Sequence, residues 1–179
     1  MSSPASFDRG EKRPREIPMN VAERRPQAVI ASNRLQYLSF SLGNEDYAVE
    51  ILRVQEIRAI CPMTVLPHAP PHVCGVMNLR GAVVPVVDMR TALGLAREKH
   101  GASTVIIVVS VHGRTVGFVV DRVSDVLSLD ASDIERAPEL RGRVDVSMIS
   151  GIARTQERFV VLLDLERVVS GGVADLDGR

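Results

Sequence analysis

Tryptophan is absent from this 179-residue chain, and aromatic residues of any kind make up 3% of it. A core must therefore be filled by valine, isoleucine and leucine, side chains that pack well on a pleated surface. Cysteine is scarce: Cys61 and Cys74 cannot make the disulfide framework of a small secreted domain, which points to a reducing cytoplasm. Long apolar runs are missing, the strand-like VIIVV falling far short of the roughly 18 residues a membrane span needs. The N-terminus lacks the basic-then-apolar pattern of a secretory signal. Net charge is zero, split as +3 over residues 1–34 and −3 beyond them, and neither value is the basic footprint of a nucleic-acid binder. Gly75, Gly81 and Gly94 lack the spacing of a phosphate loop, and no G-x-S-x-G nucleophile elbow occurs.

What remains is an ordinary soluble composition, 45% apolar and 25% charged, long enough for about one domain. Residues 1–33 mix prolines with charges and show no periodicity, so they are expected as a disordered tail. From Leu35 the pattern changes. LQYLSFSLG alternates strictly, Gln36, Leu38, Phe40 and Leu42 against Tyr37, Ser39 and Ser41, which predicts a half-buried strand. GNED then turns into YAVEI. LRVQEIRAI continues extended or turns briefly helical, and the four prolines between Pro62 and Pro71 exclude regular structure there.

TVIIVVSV and RTVGFVVDRV, joined by His112-Gly113, form the clearest hairpin. MISGIAR and RFVVLLDL predict another, and LERVVSG a short closing helix. Nine or ten short strands with little helix argue for small barrels or a sandwich; periodicity leaves open one large barrel or two small ones. Within NLRGAVVPVVDMR, Arg80-Gly81 reads as a turn, and Pro85, with no N–H to give, as an edge or bulge position.

Chemistry has little to stand on. Cys61, His68, His72 and Cys74 offer four ligand types, but Pro70-Pro71 interrupts the histidines and the cysteines form no knuckle, so no metal or other cofactor is expected. Asp88, Asp121 and Asp125 lie at strand ends, where acids are solvated or paired with an arginine such as Arg90 or Arg122. Ser110, His112 and Asp121 gather near a hairpin tip without a pocket. With no proton-transfer constellation, the chain is expected not to be an enzyme, and function must lie in its surfaces.

EDYAVEILRVQEIR, GVMNLRGAVVPVVDMR, VGFVVDRVSDVLSL and RFVVLLDLERVV, in that order, closely resemble the CheW-like domain of bacterial chemotaxis coupling proteins. The resemblance runs from about Leu35 to Ser170. It implies a mainly β fold, two five-stranded SH3-like β-barrels packed side by side over a shared core, with a short C-terminal helix. The expected organisation is a tail over 1–33, the CheW-like domain over 34–171 and a second tail over 172–179. The resemblance further implies a non-enzymatic adaptor in the cytoplasm, recruited to membrane-associated receptor arrays. It would couple the helical-hairpin tips of chemoreceptors to the regulatory domain of a CheA-type histidine kinase. Neither nucleic acid nor membrane insertion is expected. An array filler that binds receptors without the kinase is the alternative.

By position in the family motifs, Arg80, Val54, Glu56, Val105 and Val126 fall in the receptor-contact region. Without the resemblance, Arg80 reads as a solvated turn residue or the partner of an internal carboxylate, and the valines as core. The kinase contact would use the other barrel, end to end with a barrel of the kinase. Gly75 and Gly117 match family glycines, but a backbone need accounts for them equally well.

Overall fold

In the computed structural model the described residues are 34–136, 146–155 and 158–172. Both expected tails lie outside them, except for Gly172, the last residue of the closing helix. Eleven strands are present among the described residues. Strands β1 (Leu35–Leu42) and β2 (Glu45–Glu50) form a hairpin, followed by a 3₁₀ turn at Ile51–Arg53. Then come β3 (Val54–Ala59), β4 (Val73–Leu79), β5 (Ala82–Asp88), a one-turn helix α1 (Met89–Ala92), β6 (Val105–Val111) and β7 (Arg114–Val120). The chain ends in β8 (Arg122–Leu129), a two-residue β9 (Ile134–Glu135), β10 (Ile149–Arg154), β11 (Phe159–Leu163) and α2 (Leu165–Gly172). LRVQEIRAI thus does both things its sequence allows, a helical turn and then a strand.

The strands form two sheets, β8-β1-β2-β11-β10-β9 and β3-β6-β7-β5-β4. The second is one continuous segment inserted between the hairpin and the C-terminal strands of the first. The expected pair of five-stranded barrels is therefore present, with short β9 as a sixth strand on the first. Each sheet has its own small apolar core: Tyr37, Ala48, Leu129, Val160 and Leu162 in the first, Met77, Val84, Val86, Ile106 and Val108 in the second. A larger cluster lies between them, with Leu38, Phe40, Leu42, Tyr47 and Val49 from the first sheet against Ile107, Val109, Val116, Phe118 and Val120 from the second. Helix α2 adds Leu165, Val168 and Val169 to it.

Three stacked apolar layers explain the runs. In β6, Ile106 and Val108 face the second sheet's own core while Ile107 and Val109 face the shared one. A strand covered on both faces reads as a continuous apolar run. Strand β1 departs from its half-buried expectation for the same reason. Tyr37, Ser39 and Ser41 are buried as well as Leu38, Phe40 and Leu42. Its serines are satisfied locally. The Ser39 hydroxyl donates to the Asp125 carbonyl (2.8 Å) and accepts from the Asp125 N–H (3.0 Å), and Ser41 donates to Asp46 (2.9 Å). A buried hydroxyl with its hydrogen bonds made carries little penalty, so polar alternation did not mean an exposed face.

Pro85 also departs from expectation. It sits in β5, which has a neighbour on each side, and the irregularity of the β4–β5 pair falls elsewhere, between Val73 and Gly75. Its partner Val76 spends both backbone groups on Thr64, with N–H to carbonyl distances of 2.9 and 2.8 Å. Val76 and Pro85 therefore form a non-hydrogen-bonded pair, in which the N–H would point away from β4. On the other side the ladder to β7 begins at Val86. The missing N–H costs no bond.

A polar junction between the sheets centres on Arg90. Arg90, on α1 and with a side chain only 10% exposed, grips Asp121 through Nε (2.9 and 3.1 Å) and Nη2 (2.6 Å). Its Nη1 donates to the Ala96 carbonyl (3.1 Å), and Nη2 lies 3.2 Å from Glu98. Asp121 also accepts from the N–H of Gly43 in the β1–β2 turn (2.7 Å). The hydrogen bonds from Arg90 hold the Asp121 carboxyl below the usual carboxylate range, against the opposing effect of burial, with the Gly43 N–H adding to them. The same bonds raise Arg90 further.

Candidate protein-binding groove

Arg80 and Gly81 are the two central residues of the β4–β5 turn, between the paired Leu79 and Ala82. Both have positive φ, 52° and 88°, the pattern of a type I′ turn, whose twist matches that of the strands it joins. The Gly81 N–H donates to the Asn78 side chain (2.9 Å). Left-handed backbone at a non-glycine residue costs roughly 1–2 kcal/mol, so the turn holds Arg80 at its tip against its own preference. The side chain is 80% exposed.

Arg80 is nonetheless paired. Its Nη2 lies 2.5 Å from Oε2 of Glu56, a residue nominated separately from the sequence. Arg58 approaches the other carboxylate oxygen at 3.7 Å. Strands β3 and β4 are the two edges of the second sheet, and this pair spans them beside the Thr64–Val76 bridge. Arg80 is well solvated on its own, and Glu56, whose side chain is 24% exposed, keeps Arg58 at 3.7 Å, so the pair is worth little net, roughly 0–1 kcal/mol. Arg80 can therefore exchange Glu56 for an incoming carboxylate at small cost.

A bulge sets what β3 shows. Val54 pairs with Val109, but Glu56 pairs with Val108, leaving Gln55 as the extra residue. Cross-strand partners share a face. Val54 and Ile57, opposite Val109 and Ile107, thus look towards the layer between the sheets, and Glu56 towards the second sheet's own core. Val54 and Val105 are half-buried and pack against the shared core. Val126 belongs to the other sheet. It lies opposite Leu38 on β8, faces the same layer and is 50% exposed.

The five nominated residues therefore form two sets, the Arg80–Glu56 pair at a rim and three valines at the margin of the inter-sheet layer. Ile57, 45% exposed, belongs with the valines and was missed. In sequence it is only one of three apolar residues spaced by three with Val54 and Ile60, and the bulge at Gln55 is what puts it on the same face as Val54.

The other candidates go elsewhere. Asp88 is buried, accepts from the Thr91 N–H to cap α1 (3.1 Å), and has Arg97 at 3.6 Å. Asp121 is committed to Arg90 and Gly43, while His112 faces Glu166 at 3.1 Å, so no His–Asp relay forms around Ser110. Cys61 and Cys74 are half-buried free thiols, Cys61 Sγ lying 3.8 Å from Met77 Sδ. Among the described residues no three His, Cys, Asp or Glu side chains gather as a metal site. A Cβ at Gly117 would come within 2.8 Å of Ile106 Cγ2, a packing reason for that glycine. No helix among the described residues is long and apolar enough to cross a membrane.

Two small barrels sharing one core, with an exposed arginine on a turn of the second and half-covered aliphatic side chains at the margin of the shared layer, define a β scaffold. The comparisons agree. The CheW-like domain profile matches residues 36–172, and the chain belongs to that family. The chemotaxis protein CheW of Klebsiella aerogenes is 41% identical over 135 residues, covering 75% of this chain and 81% of that protein. The chemotaxis protein CheW of Rhizobium meliloti is 38% identical over 133 residues, covering 74% and 86%. Among solved structures, the scaffolding protein TtCheW from Thermoanaerobacter tengcongensis superposes with a TM-score of 0.71 at 29% identity, covering 75% of this chain and 87% of that one. Family and fold place the chain among the chemotaxis scaffold proteins.

Proposed function

We propose that this chain is a non-enzymatic adaptor that couples chemoreceptor cytoplasmic tips to a CheA-type histidine kinase, in the cytoplasm and at membrane-associated receptor arrays. The observations that carry this are the exposed guanidinium of Arg80, presented on a strained turn, and the part-exposed Val54, Ile57, Val105 and Val126 at the margin of the inter-sheet layer. A receptor tip is a helical hairpin, and a helix laid in a groove needs apolar anchors and a charged rim. Arg80 supplies a planar donor pair for a carboxylate on that hairpin, in exchange for Glu56. The kinase's regulatory domain would meet the other barrel, end to end, so two moderate affinities reinforce each other through effective concentration.

A pull-down with a receptor-tip fragment and the kinase's regulatory domain tests this. Wild type is expected to capture both. Arg80→Glu is expected to lose receptor binding about tenfold or more, since it removes a rim contact and adds repulsion, with kinase capture and thermal melting unchanged. Unchanged receptor affinity in a folded variant overturns the assignment of Arg80. Capture of receptor without kinase by wild type would make the chain an array filler.

A further inference from the structure

The apolar residues of the proposed receptor groove come from different sheets. Strand β3 is an edge of the second sheet and β8 an edge of the first. Its opening therefore depends on how the two sheets sit on their shared layer. That layer is apolar, and apolar contact is non-directional, so it resists separation better than sliding or rotation.

Against this background the burial of Arg90 is informative. Asp88 and Arg90 are the buried charged residues among those described. A buried ion pair is often no more stabilising than apolar residues of equal volume, so stability is a poor account of it. What a bidentate guanidinium–carboxylate pair adds is fixed geometry. Arg90 extends from α1, directly after β5 of the second sheet, and fixes Asp121, the single residue between β7 of the second sheet and β8 of the first. Asp121 in turn holds Gly43 in the first sheet's β1–β2 turn. Four residues along β8 from its start stands Val126, a wall of the groove.

We propose that Arg90 and Asp121 form a positioning clamp that fixes the angle between the two sheets, and with it the opening of the receptor groove, without touching the receptor. The clamp rests on the assignment of the groove as the receptor site. Asp121→Asn loosens it by removing one charge. Arg90→Lys keeps the charge but loses the fork, and stands in should the first variant not fold.

Spin labels at exposed Gln55 on β3 and Ser128 on β8, in a Cys61→Ala, Cys74→Ala background, report the inter-sheet distance on the protein alone. The clamp variants are expected to broaden or shift that distribution. Affinity for a receptor-tip helical hairpin is expected to fall about tenfold, a typical coupling between sites. Affinity for the kinase's regulatory domain, which would grip a single barrel, is expected to stay within about twofold. An unchanged distance distribution overturns the clamp, as does a broadened one with unchanged receptor affinity. Equal loss of both partners overturns it too, because general destabilisation then accounts for the effect. Because the distance is read without partners, failure of wild type to bind a receptor tip would count against the groove assignment alone.

Discussion

A methyl group added at Gly75 would sit 2.4 Å from the carbonyl oxygen of Thr64, where the chain after β3 bridges to β4. At Gly81 the same addition would meet nothing within 4 Å. Both glycines have positive φ, 143° and 88°, so the pair separates backbone preference from collision. Gly81→Ala is expected to cost about 1 kcal/mol, the left-handed penalty. Gly75→Ala adds displacement of a hydrogen-bonded backbone and is expected to cost about 3 kcal/mol, both read from urea unfolding. Equal costs would mean that the Thr64 bridge is not held tightly. Asp121 makes a pH-dependent prediction. Its carboxyl is held below its ordinary value of 3.8, first by the hydrogen bonds from Arg90, and also by the Gly43 N–H and the charges of Arg90 and His100. A depressed carboxylate stabilises the fold fully above its unfolded value and loses that contribution as pH falls through the folded one. The stability gap between wild type and Asp121→Asn is therefore expected to be widest near pH 6–7 and to narrow below about pH 4. A gap that stays constant down to pH 3 would contradict the pairing.

Strands show most plainly what could be read in advance and what could not. Short strands, tight turns and the closing helix were legible, because turn residues and β-branched runs act locally. Which faces are covered was not, because coverage depends on partners distant in sequence. Strand β1 alternates polar and apolar residues yet is buried on both sides, its serines satisfied by Asp125 and Asp46. The division into two barrels was open to periodicity and came from family resemblance. At the groove, Arg80 and Glu56 could be nominated singly, but their contact joins the two edges of one sheet across 24 residues of chain. Ile57 was missed because the bulge at Gln55 has no local signature. This outward Ile57 gives a test of β3 as an element. Ile57→Ser is expected to weaken receptor-tip binding several-fold while changing stability by about 1 kcal/mol or less, as for other part-exposed positions. Phe40→Ala, in the shared core, is expected to cost about 3–5 kcal/mol. Loss of comparable stability at both positions would place Ile57 inside the core and remove it from the groove.

Cohesion of the whole molecule resides in the layer between the sheets. Among the described residues the shared core holds 20 buried side chains, against 7 inside the second sheet and 6 inside the first. The second sheet is a continuous segment, residues 54–120, and by connectivity it could be excised as a unit. Physically it is half a structure. Cut out, it would expose Val87, Ile107, Val109, Val116, Phe118 and Val120 as a contiguous apolar face, and its own 7 buried residues are too few for a stable core. The segment expressed alone is therefore expected to lack a cooperative melt by circular dichroism and to aggregate. The intact chain is expected to unfold in a single transition, with amide exchange in β1 and β6 protected to the same global limit. Two separable transitions, or a fragment with native-like spectra, would show that the barrels are autonomous. Their mutual orientation would then be a matter of docking rather than of folding. A single transition carries a consequence for coupling. Neither barrel can loosen without disturbing the face it shares with the other, so a partner gripping the groove and one gripping a single barrel act on one mechanical body. Cooperative unfolding and the positioning effect of Arg90 should then stand together: variants that widen the inter-sheet distance distribution should also lower the protection of β1 and β6 in parallel.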